Sequence, residues 1–389
     1  MKRICLCVKI HIPMIFRNFR FNEINQNDDY YDDHGLDYHV SKICTDNLHP
    51  FFKTVKAIFR ESGGRFKVAV SISGSTLKLL QKTAPQTILM LSELVQEGCI
   101  EFLSEPWSHS IIAFSNSETL LRQTNQHDEL IHAVFGKVPE VLIIHSPICP
   151  EKVWRTVQQG EGKGVFMYSN HIERSKKAKG TKDRPAISNV GIHPVHRTLS
   201  QEFQKLVLGT DIQLLKNFTS GILQNMKNDS SPTNCLVLVY DLAVFTKPFN
   251  KNTAFLLKAT INELLADECF QFCFPSETKT CLNTVFSDTI SNNDTDHFLL
   301  PVDSWLKNEL QKRTYAVQLS VQKRIQSCCN TALHKKWDLI QDMDNLYFMN
   351  SDFFSEDYYM DNYCPYTSPY MAFTNYMNIL DDLAGRVEN

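Results

Sequence analysis

The sequence predicts an α/β protein whose parallel sheet, either a barrel or a doubly wound sheet, is followed by a purely helical region. From Ile4 to Phe274, short apolar runs of strand length alternate with longer helical patterns. Several of these runs are almost continuously apolar, as is typical of parallel strands covered on both faces. From Trp305 onwards the apolar residues recur only at helical spacing.

The strand predictions depend on apolar runs bounded by polar or glycine-containing segments. They are Ile4–Ile10, Phe66–Ile72, Ile100–Leu103, Val141–Ile144, Val165–Tyr168, Cys235–Tyr240 and Phe270–Phe274. Helical patterns lie between them, for example at Leu48–Glu61 and Ala84–Gln96. The glycine pair Gly63-Gly64 ends the first of these helices. Strand–helix alternation of this kind is typical of parallel α/β folds.

A polar, loop-like stretch at Ser287–Asp296 is the predicted domain boundary. We therefore expect residues 1–290 to form the sheet domain and residues 291–389 to form a helical region packed on it. The first C-terminal helix has its apolar residues on one face, namely Trp305, Leu306, Leu310, Val317, Val321 and Ile325. Two further helices are predicted at Ala332–Phe354 and Ser368–Val387.

Composition excludes several classes of protein. Forty basic and 43 acidic residues give a net charge of −3, so no broad basic face for nucleic acid is expected. The 12 cysteines form no repeated CxxC pair, which indicates free thiols in a reducing compartment. Lys9 and His11 interrupt the N-terminal apolar run, so we expect neither a signal peptide nor a membrane span. These features together predict a cytoplasmic protein.

In (β/α) barrels, catalytic groups lie just beyond the C-terminal ends of the strands, whatever the reaction. The residues that follow predicted strands and carry suitable side chains are His11, Glu105, Trp107, His109, His145, Ser146 and Asp241. A histidine or aspartate at a strand end often only satisfies backbone groups of a loop. Their convergence from four strands nevertheless favours a functional site.

Four segments, in the same order along the chain, resemble glycoside hydrolase family 57, specifically its α-amylase branch: Gly64–Gly74, Gly98–Ser110, Ser304–Gln311 and Ser368–Asn378. The resemblance runs through nearly the whole chain. It implies an incomplete seven-stranded (β/α) TIM-like barrel followed by a C-terminal helical bundle. It also implies action on α-glucan chains with retention of configuration, through a glutamate nucleophile and an aspartate acid/base, without metal or cofactor.

The two catalytic positions of the family have different residues here. By resemblance, Asp241 in the run Leu236–Phe245 occupies the acid/base position. An alignment without gaps from Pro139 places Ser146 on the nucleophile position. A retaining mechanism needs two carboxyl groups roughly 5–5.5 Å apart. The substitution therefore predicts a catalytically impaired or inactive relative, a pseudoenzyme.

The sugar-binding positions of the family are partly kept. His11 and Pro13 match, although the family's glutamine between them is replaced by Ile12. Glu105 and His109 also match, and with Trp107 they are the predicted substrate-binding residues. The stretch after Tyr168 lacks the family's pattern and is basic instead.

Two other chemistries fit the residues less well. Ser146 could act as a nucleophile with His145, but neighbours in an extended segment point to opposite sides and no G-x-S-x-G elbow is present. The histidines His11, His109, His145 and His193 could supply metal ligands, but they form no metal-binding motif. We therefore expect no metal.

Three functional hypotheses follow from the sequence. The first is a pseudoenzyme that binds an α-glucan or maltooligosaccharide, or that acts through an unidentified protein partner. The second is a slow retaining α-glucan hydrolase or 4-α-glucanotransferase. The third is an interaction protein that binds no sugar. Because His11, Glu105, His109 and Asp241 are kept, the first hypothesis is favoured over the third.

Overall fold

The computed structural model describes ten stretches of the chain. They are residues 2–145, 163–168, 172–173, 192–209, 213–228, 235–242, 248–278, 285–286, 303–351 and 364–388. Ser146 lies outside these stretches, as does the predicted boundary Ser287–Asp296. The division into residues 1–290 and 291–389 therefore stays a prediction.

Ten strands are present in the described residues. They are β1 (Lys2–Ile10), β2 (Val68–Ile72), β3 (Ile100–Phe102), β4 (Val141–Ile144), β5 (Gly164–Tyr168), β6 (Ile172–Glu173), β7 (Ile192–Val195), β8 (Cys235–Asp241), β9 (Phe270–Phe272) and β10 (Val285–Phe286). The main sheet has the order β3-β2-β1-β8-β7-β5-β4, with β9 beside β1, and all of its pairings are parallel. The short strands β6 and β10 pair with each other in antiparallel fashion.

The main sheet curls until its two edge strands meet. Ser104, just beyond β3, forms a parallel bridge with Leu142 of β4. The Ser104 amide donates to the carbonyl of Val141, and the Ile143 amide donates to the carbonyl of Ser104, both at 2.8 Å. Between β7 and β8 the ladder is a single pair, Val195 with Val237. The seven strands thus form an incomplete (β/α) barrel, as predicted.

Two strands differ from the sequence prediction, one in its presence and the other in its place in the sheet. Ile192–Val195, which contains His193 and Pro194, has no continuous apolar pattern, yet it is one of the seven strands of the main path. Phe270–Phe272 pairs only with the first three residues of β1, so it is an eighth strand beside the path.

Helices surround the barrel and form the C-terminal region. They are α1 (Asp33–Ile43), α2 (His49–Glu61), α3 (Gly74–Thr83), α4 (Pro85–Gln96), α5 (Ser117–Phe135), α6 (Arg197–Leu208), α7 (Gln213–Asn228), α8 (Lys251–Ala266), α9 (Asp303–Leu306), α10 (Glu309–Gln326), α11 (Thr331–Ile340), α12 (Asp344–Tyr347) and α13 (Pro369–Glu388). Side-chain caps define several helix starts, since Ser73 accepts from the Thr76 amide and Asn116 from the Thr119 amide.

The predicted helix Ala332–Phe354 is wrong as a single element. Helix α11 ends at Ile340, and a turn precedes the four residues of α12. In this turn the side chain of Asp342 accepts a hydrogen bond from the Asp344 amide at 3.1 Å. Aspartate side chains compete in this way with the helical hydrogen-bond ladder, which explains the interruption.

The strands place alternate residues inside and outside the barrel. The inner face of β1 carries Cys5 and Cys7, which pack with Val237 and Val239 of β8. The intervening residues, such as Leu6 and Val8, pack outwards against the helices in a separate and larger core. Because side chains along a strand alternate with period two, the next inward positions lie at the carboxyl ends of the strands. None of the helices within the described ranges is long and apolar enough to cross a membrane.

Candidate functional site

Polar side chains replace apolar ones at the carboxyl end of the barrel interior. Lys9 follows Cys5 and Cys7 in the inward series of β1, and Asp241 follows Val237 and Val239 in that of β8. In the same way, Ser71 and His145 end the inward series of β2 and β4. Glu105 continues the series of β3, and His11 that of β1. The predicted site residues from four strands therefore converge on one end of the barrel, which we call the mouth.

His11 is held by two elements that are distant in sequence. Its Nδ1 lies 2.7 Å from the hydroxyl of Ser73, and its Nε2 lies 2.9 Å from Oδ2 of Asp342. Oδ2 of Asp344 lies 3.5 Å from the same Nε2. All four side chains are buried. The C-terminal region thus supplies two carboxyl groups to the mouth, and sequence reasoning missed both.

Glu105 is buried and hydrogen-bonded within the barrel. Its side chain is 2% exposed, and Oε1 accepts from the Ser71 hydroxyl at 2.7 Å. The Ser71 oxygen also lies 2.8 Å from Nε2 of His145. Since the single hydroxyl proton of Ser71 is used towards Glu105, Nε2 of His145 must be the donor in that second bond. The Nδ1 of His145 then carries no proton and can accept a hydrogen bond.

His109 completes the polar cluster. Its ring lies 4.1 Å from that of His11 and 5.8 Å from that of His145, measured between centroids. Its backbone has a φ of +48°, a left-handed conformation that is uncommon outside glycine. Nε2 of His109 and Nδ1 of His145 are buried without a hydrogen-bond partner among the described residues. Unpartnered buried polar atoms are costly, and these two nitrogens are placed where they can bond to another polar group at the mouth.

Burial controls the charge of these groups. It lowers the pKa of His109 and of His145 well below the usual value, so both imidazoles are neutral at neutral pH. Burial likewise raises the pKa of Glu105. For His11 burial acts in the lowering direction, but the carboxylates of Asp342 and Asp344 outweigh it and raise the pKa.

Asp241, at the predicted acid/base position, is more accessible. Its side chain is 22% exposed, and Oδ2 accepts from Nζ of Lys9 at 3.2 Å. The Gln204 side chain anchors its backbone, because Asp241 N donates to Oε1 and Nε2 donates to the Asp241 carbonyl, both at 3.0 Å. This anchoring fixes the aspartate at the mouth.

Trp107, a predicted substrate-binding residue, is buried in the core between the sheet and the helices and packs against α3. Its indole lies against the Cα of Gly74 at the first residue of α3, and its carbonyl accepts from the Ser75 amide at 3.2 Å. A Cβ built on Gly74 would lie only 2.2 Å from the indole. The glycine is therefore required for close approach of the ring.

We expect Gly74→Ala to destabilise the protein by about 3 kcal/mol, because overpacking of this kind forces the indole or the start of α3 to move. Thermal unfolding of the purified chain measures the effect. Gly221→Ala in α7 is the matched control, since its Cβ would meet its nearest neighbours at 3.8 Å. Alanine at such a helical position is expected to be neutral or stabilising. Equal stability of the two variants would contradict the close packing of Trp107.

The carboxyl group of Asp344 is expected to make the stability of the fold depend on pH. Burial and the negative charge of Asp342 raise its pKa to about 7. The folded chain therefore binds this proton more tightly than the unfolded chain, so stability falls as pH rises from about 4 to about 7. The raised pKa of His11 acts in the same direction, because its contribution is complete below about pH 6.5 and is lost at higher pH.

We expect Asp344→Asn to flatten the decline in melting temperature between about pH 5 and pH 8, because the titrating carboxyl group is removed. The measurement is thermal unfolding across that range. Glu309→Gln, at a position whose side chain is 90% exposed, is the control. Profiles of wild type and Asp344→Asn that run parallel would show that Asp344 does not titrate in this range.

Two groups within the described part of the chain could supply ligands to one cation. They are His11 with Asp342 and Asp344, and Cys5 with Cys235 and Cys273. In the first group the contacts are those of a hydrogen-bonded ion pair between an imidazole and two carboxyl groups. The second group lies at the opposite end of the barrel.

Comparison with known proteins supports the interpretation of the fold. The family profile described as glycosyl hydrolase family 57 matches residues 5–160. No curated protein matches by sequence. The family 57 branching enzyme of Pyrococcus horikoshii superposes with a TM-score of 0.62 at 11% identity, over 90% of this chain and 85% of that one. The α-amylase AmyC of Thermotoga maritima superposes with a TM-score of 0.57 at 10% identity, over 100% and 96%.

A third solved structure is longer than this chain. The 4-α-glucanotransferase of Thermococcus litoralis gives a TM-score of 0.59 at 12% identity, over 89% of this chain but only 56% of its own length. At these identities the structures show a shared fold. Residues 5–160 are therefore similar to glycosyl hydrolase family 57, and the chain shares the fold of solved enzymes of that family.

Proposed function

We propose that this protein acts in carbohydrate metabolism as an α-amylase-like protein that binds an α-glucan or maltooligosaccharide at the barrel mouth with impaired or absent hydrolysis. The observation that carries the proposal is the state of Asp241. One carboxylate oxygen of this residue is engaged by Lys9. By the resemblance to the family, Ser146 would occupy the position of its catalytic partner. A retaining mechanism requires two carboxyl groups with separate tasks.

The other carboxyl groups at the mouth have structural partners. Glu105 accepts from Ser71, and Asp342 with Asp344 holds His11. None of these three, within the described residues, is a free carboxylate comparable to a glycosidase nucleophile. This arrangement favours binding over turnover.

The mouth is suited to sugar hydroxyl groups, which both donate and accept hydrogen bonds. Nδ1 of His145 offers an acceptor, and Nε2 of His109 is a second buried polar atom without a partner. A few convergent polar groups are typical of small-molecule sites.

Calorimetry with maltoheptaose, beside a sensitive assay for soluble-starch hydrolysis on the same preparation, tests the proposal. We expect saturable binding, weakened in Glu105→Gln and unchanged in the surface control Glu309→Gln, with hydrolysis near background. Absence of binding would refute sugar recognition. Hydrolysis at an ordinary enzymatic rate that Asp241→Asn leaves unchanged would refute the assigned role of Asp241.

A slow hydrolase or 4-α-glucanotransferase is the second candidate, and Asp344 favours it. With a pKa of about 7, this carboxyl group can hold a proton at neutral pH, and the charge of Asp241 acts on it. If the protein has residual turnover, this candidate predicts that Asp344→Asn abolishes it without loss of maltoheptaose binding. Residual turnover that survives in Asp344→Asn would exclude this role.

A further inference from the structure

A buried cluster of three cysteines lies at the end of the barrel opposite the mouth. Cys5 is in β1, Cys235 is the first residue of β8, and Cys273 directly follows β9. The Cys5 sulfur lies 3.6 Å from that of Cys235 and 3.5 Å from that of Cys273. All three ligand atoms lie within 4.8 Å of one another. We call this group the thiol cluster.

The backbone brings the three sulfurs together from strands far apart in sequence. In the parallel register, Arg3 of β1 is opposite Cys235 of β8, and Cys5 is opposite Val237. Cys235 is therefore the inward residue of β8 that precedes the one opposite Cys5. The Cys273 amide donates to the carbonyl of Ile4 at 3.1 Å, which fixes the third sulfur beside the first. The three side chains are at most 9% exposed.

We propose that the thiol cluster binds a soft, thiophilic cation, and that monovalent copper is the ion its three sulfurs fit. Thiolate sulfur selects soft ions such as Cu(I), whereas carboxylate and water select hard ones. A structural zinc ion takes four ligands, and the described residues offer three at this place. Binding exchanges the thiol protons for the cation and releases those protons to solvent.

The surroundings partly balance the charge of such a site. The guanidinium of Arg3 lies at the same end of the barrel, where it donates to the Glu277 carbonyl at 3.3 Å. The apolar inner residues Val237 and Phe166 exclude water from the other side.

An occupied site would tie β1, β8 and β9 together at the end of the barrel where β9 pairs with only three residues of β1. The cation would then stabilise the fold and leave the mouth unchanged. This role is independent of the proposed sugar binding, so each proposal can fail while the other stands.

The test uses the full chain, reduced and handled without oxygen, in competition for Cu(I) with a colorimetric chelator. The reference protein, called the wild type in this experiment, and all variants carry Cys269→Ser and Cys329→Ser, because these two thiols are exposed and could bind copper independently. We expect one tightly bound equivalent, with three sulfur neighbours in X-ray absorption. Cys273→Ala should weaken binding by more than the roughly 10–100-fold that the loss of an outer-shell partner costs.

Cys7→Ala is the matched control, since Cys7 is a buried inward thiol on the same strand but not a member of the thiol cluster. Copper should raise the melting temperature of the wild type and of Cys7→Ala but not of Cys273→Ala, because a ligand stabilises only the fold that binds it. Equal copper affinity of Cys7→Ala and Cys273→Ala would overturn the proposal. So would fewer than three sulfur neighbours in the wild type, a result that does not depend on the folding of any variant.

Discussion

Replacement of Ser146 by glutamate is expected to give hydrolysis of an activated α-maltoside with retention of configuration. The initial rate should exceed that of the unmodified protein by roughly a hundredfold or more. The reason is that a retaining glycosidase needs a nucleophile carboxylate opposite its acid/base, and Asp241 already occupies the second position by resemblance. Loss of such an essential group costs several orders of magnitude, so even a partial restoration is measurable. Initial rates with 4-nitrophenyl α-maltoside, and the anomer of the first product by NMR, are the measurements.

The gain should stay below the rate of an intact retaining site, because Lys9 engages one oxygen of Asp241. Ser146→Gln, which has a similar shape without the charge, is the matched control and should stay inactive. Asp241→Asn in the Ser146→Glu background should return the rate to that of the unmodified protein. If Ser146→Gln gains as much as Ser146→Glu, a carboxylate at this position is not what the site lacks.

Much of the barrel could be predicted because its strands are buried on both faces. Ile4–Ile10 and Cys235–Tyr240 are almost continuously apolar, and both are central strands. The period of two then places Lys9 and Asp241 on the same inner face. Ile192–Val195 was missed because His193 and Pro194 interrupt the apolar run, and its contact with β8 is a single pair.

The candidate site could be predicted only where its residues follow strands. His11, Glu105, His109 and Asp241 obey that rule, and the structure brings the first three into one cluster with Asp241 at the same mouth. Asp342 is separated from His11 by 331 positions and lies in a helical pattern, so no local signal connects the two. The one available hint was a pair of aspartates, spaced two apart, inside a predicted helix, where such residues disfavour the helix interior.

The acidic and aromatic segment near Tyr30 illustrates a second kind of long-range contact. Asp382 in α13 is completely buried, and it accepts hydrogen bonds from the Tyr30 hydroxyl and from the Asn25 amide. Arg386, one turn further along α13, donates to the same carboxylate at 2.7 Å. One carboxylate therefore ties the segment that follows β1 to the last helix of the chain.

We expect Asp382→Ala to destabilise the protein by about 3 kcal/mol, because the Tyr30 hydroxyl and the Asn25 amide lose a buried acceptor and each such orphan costs about 1–3 kcal/mol. The loss of charge compensation for Arg386 adds less, since that side chain is 26% exposed. The measurement is urea unfolding, in which the midpoint should fall while the dependence of the unfolding free energy on urea concentration stays unchanged. Asp381→Asn is the matched control, because this neighbouring aspartate lies on the exposed side of the same helix. An Asp382→Ala midpoint equal to that of Asp381→Asn would show that the buried carboxylate contributes nothing to the packing of α13 on the segment after β1.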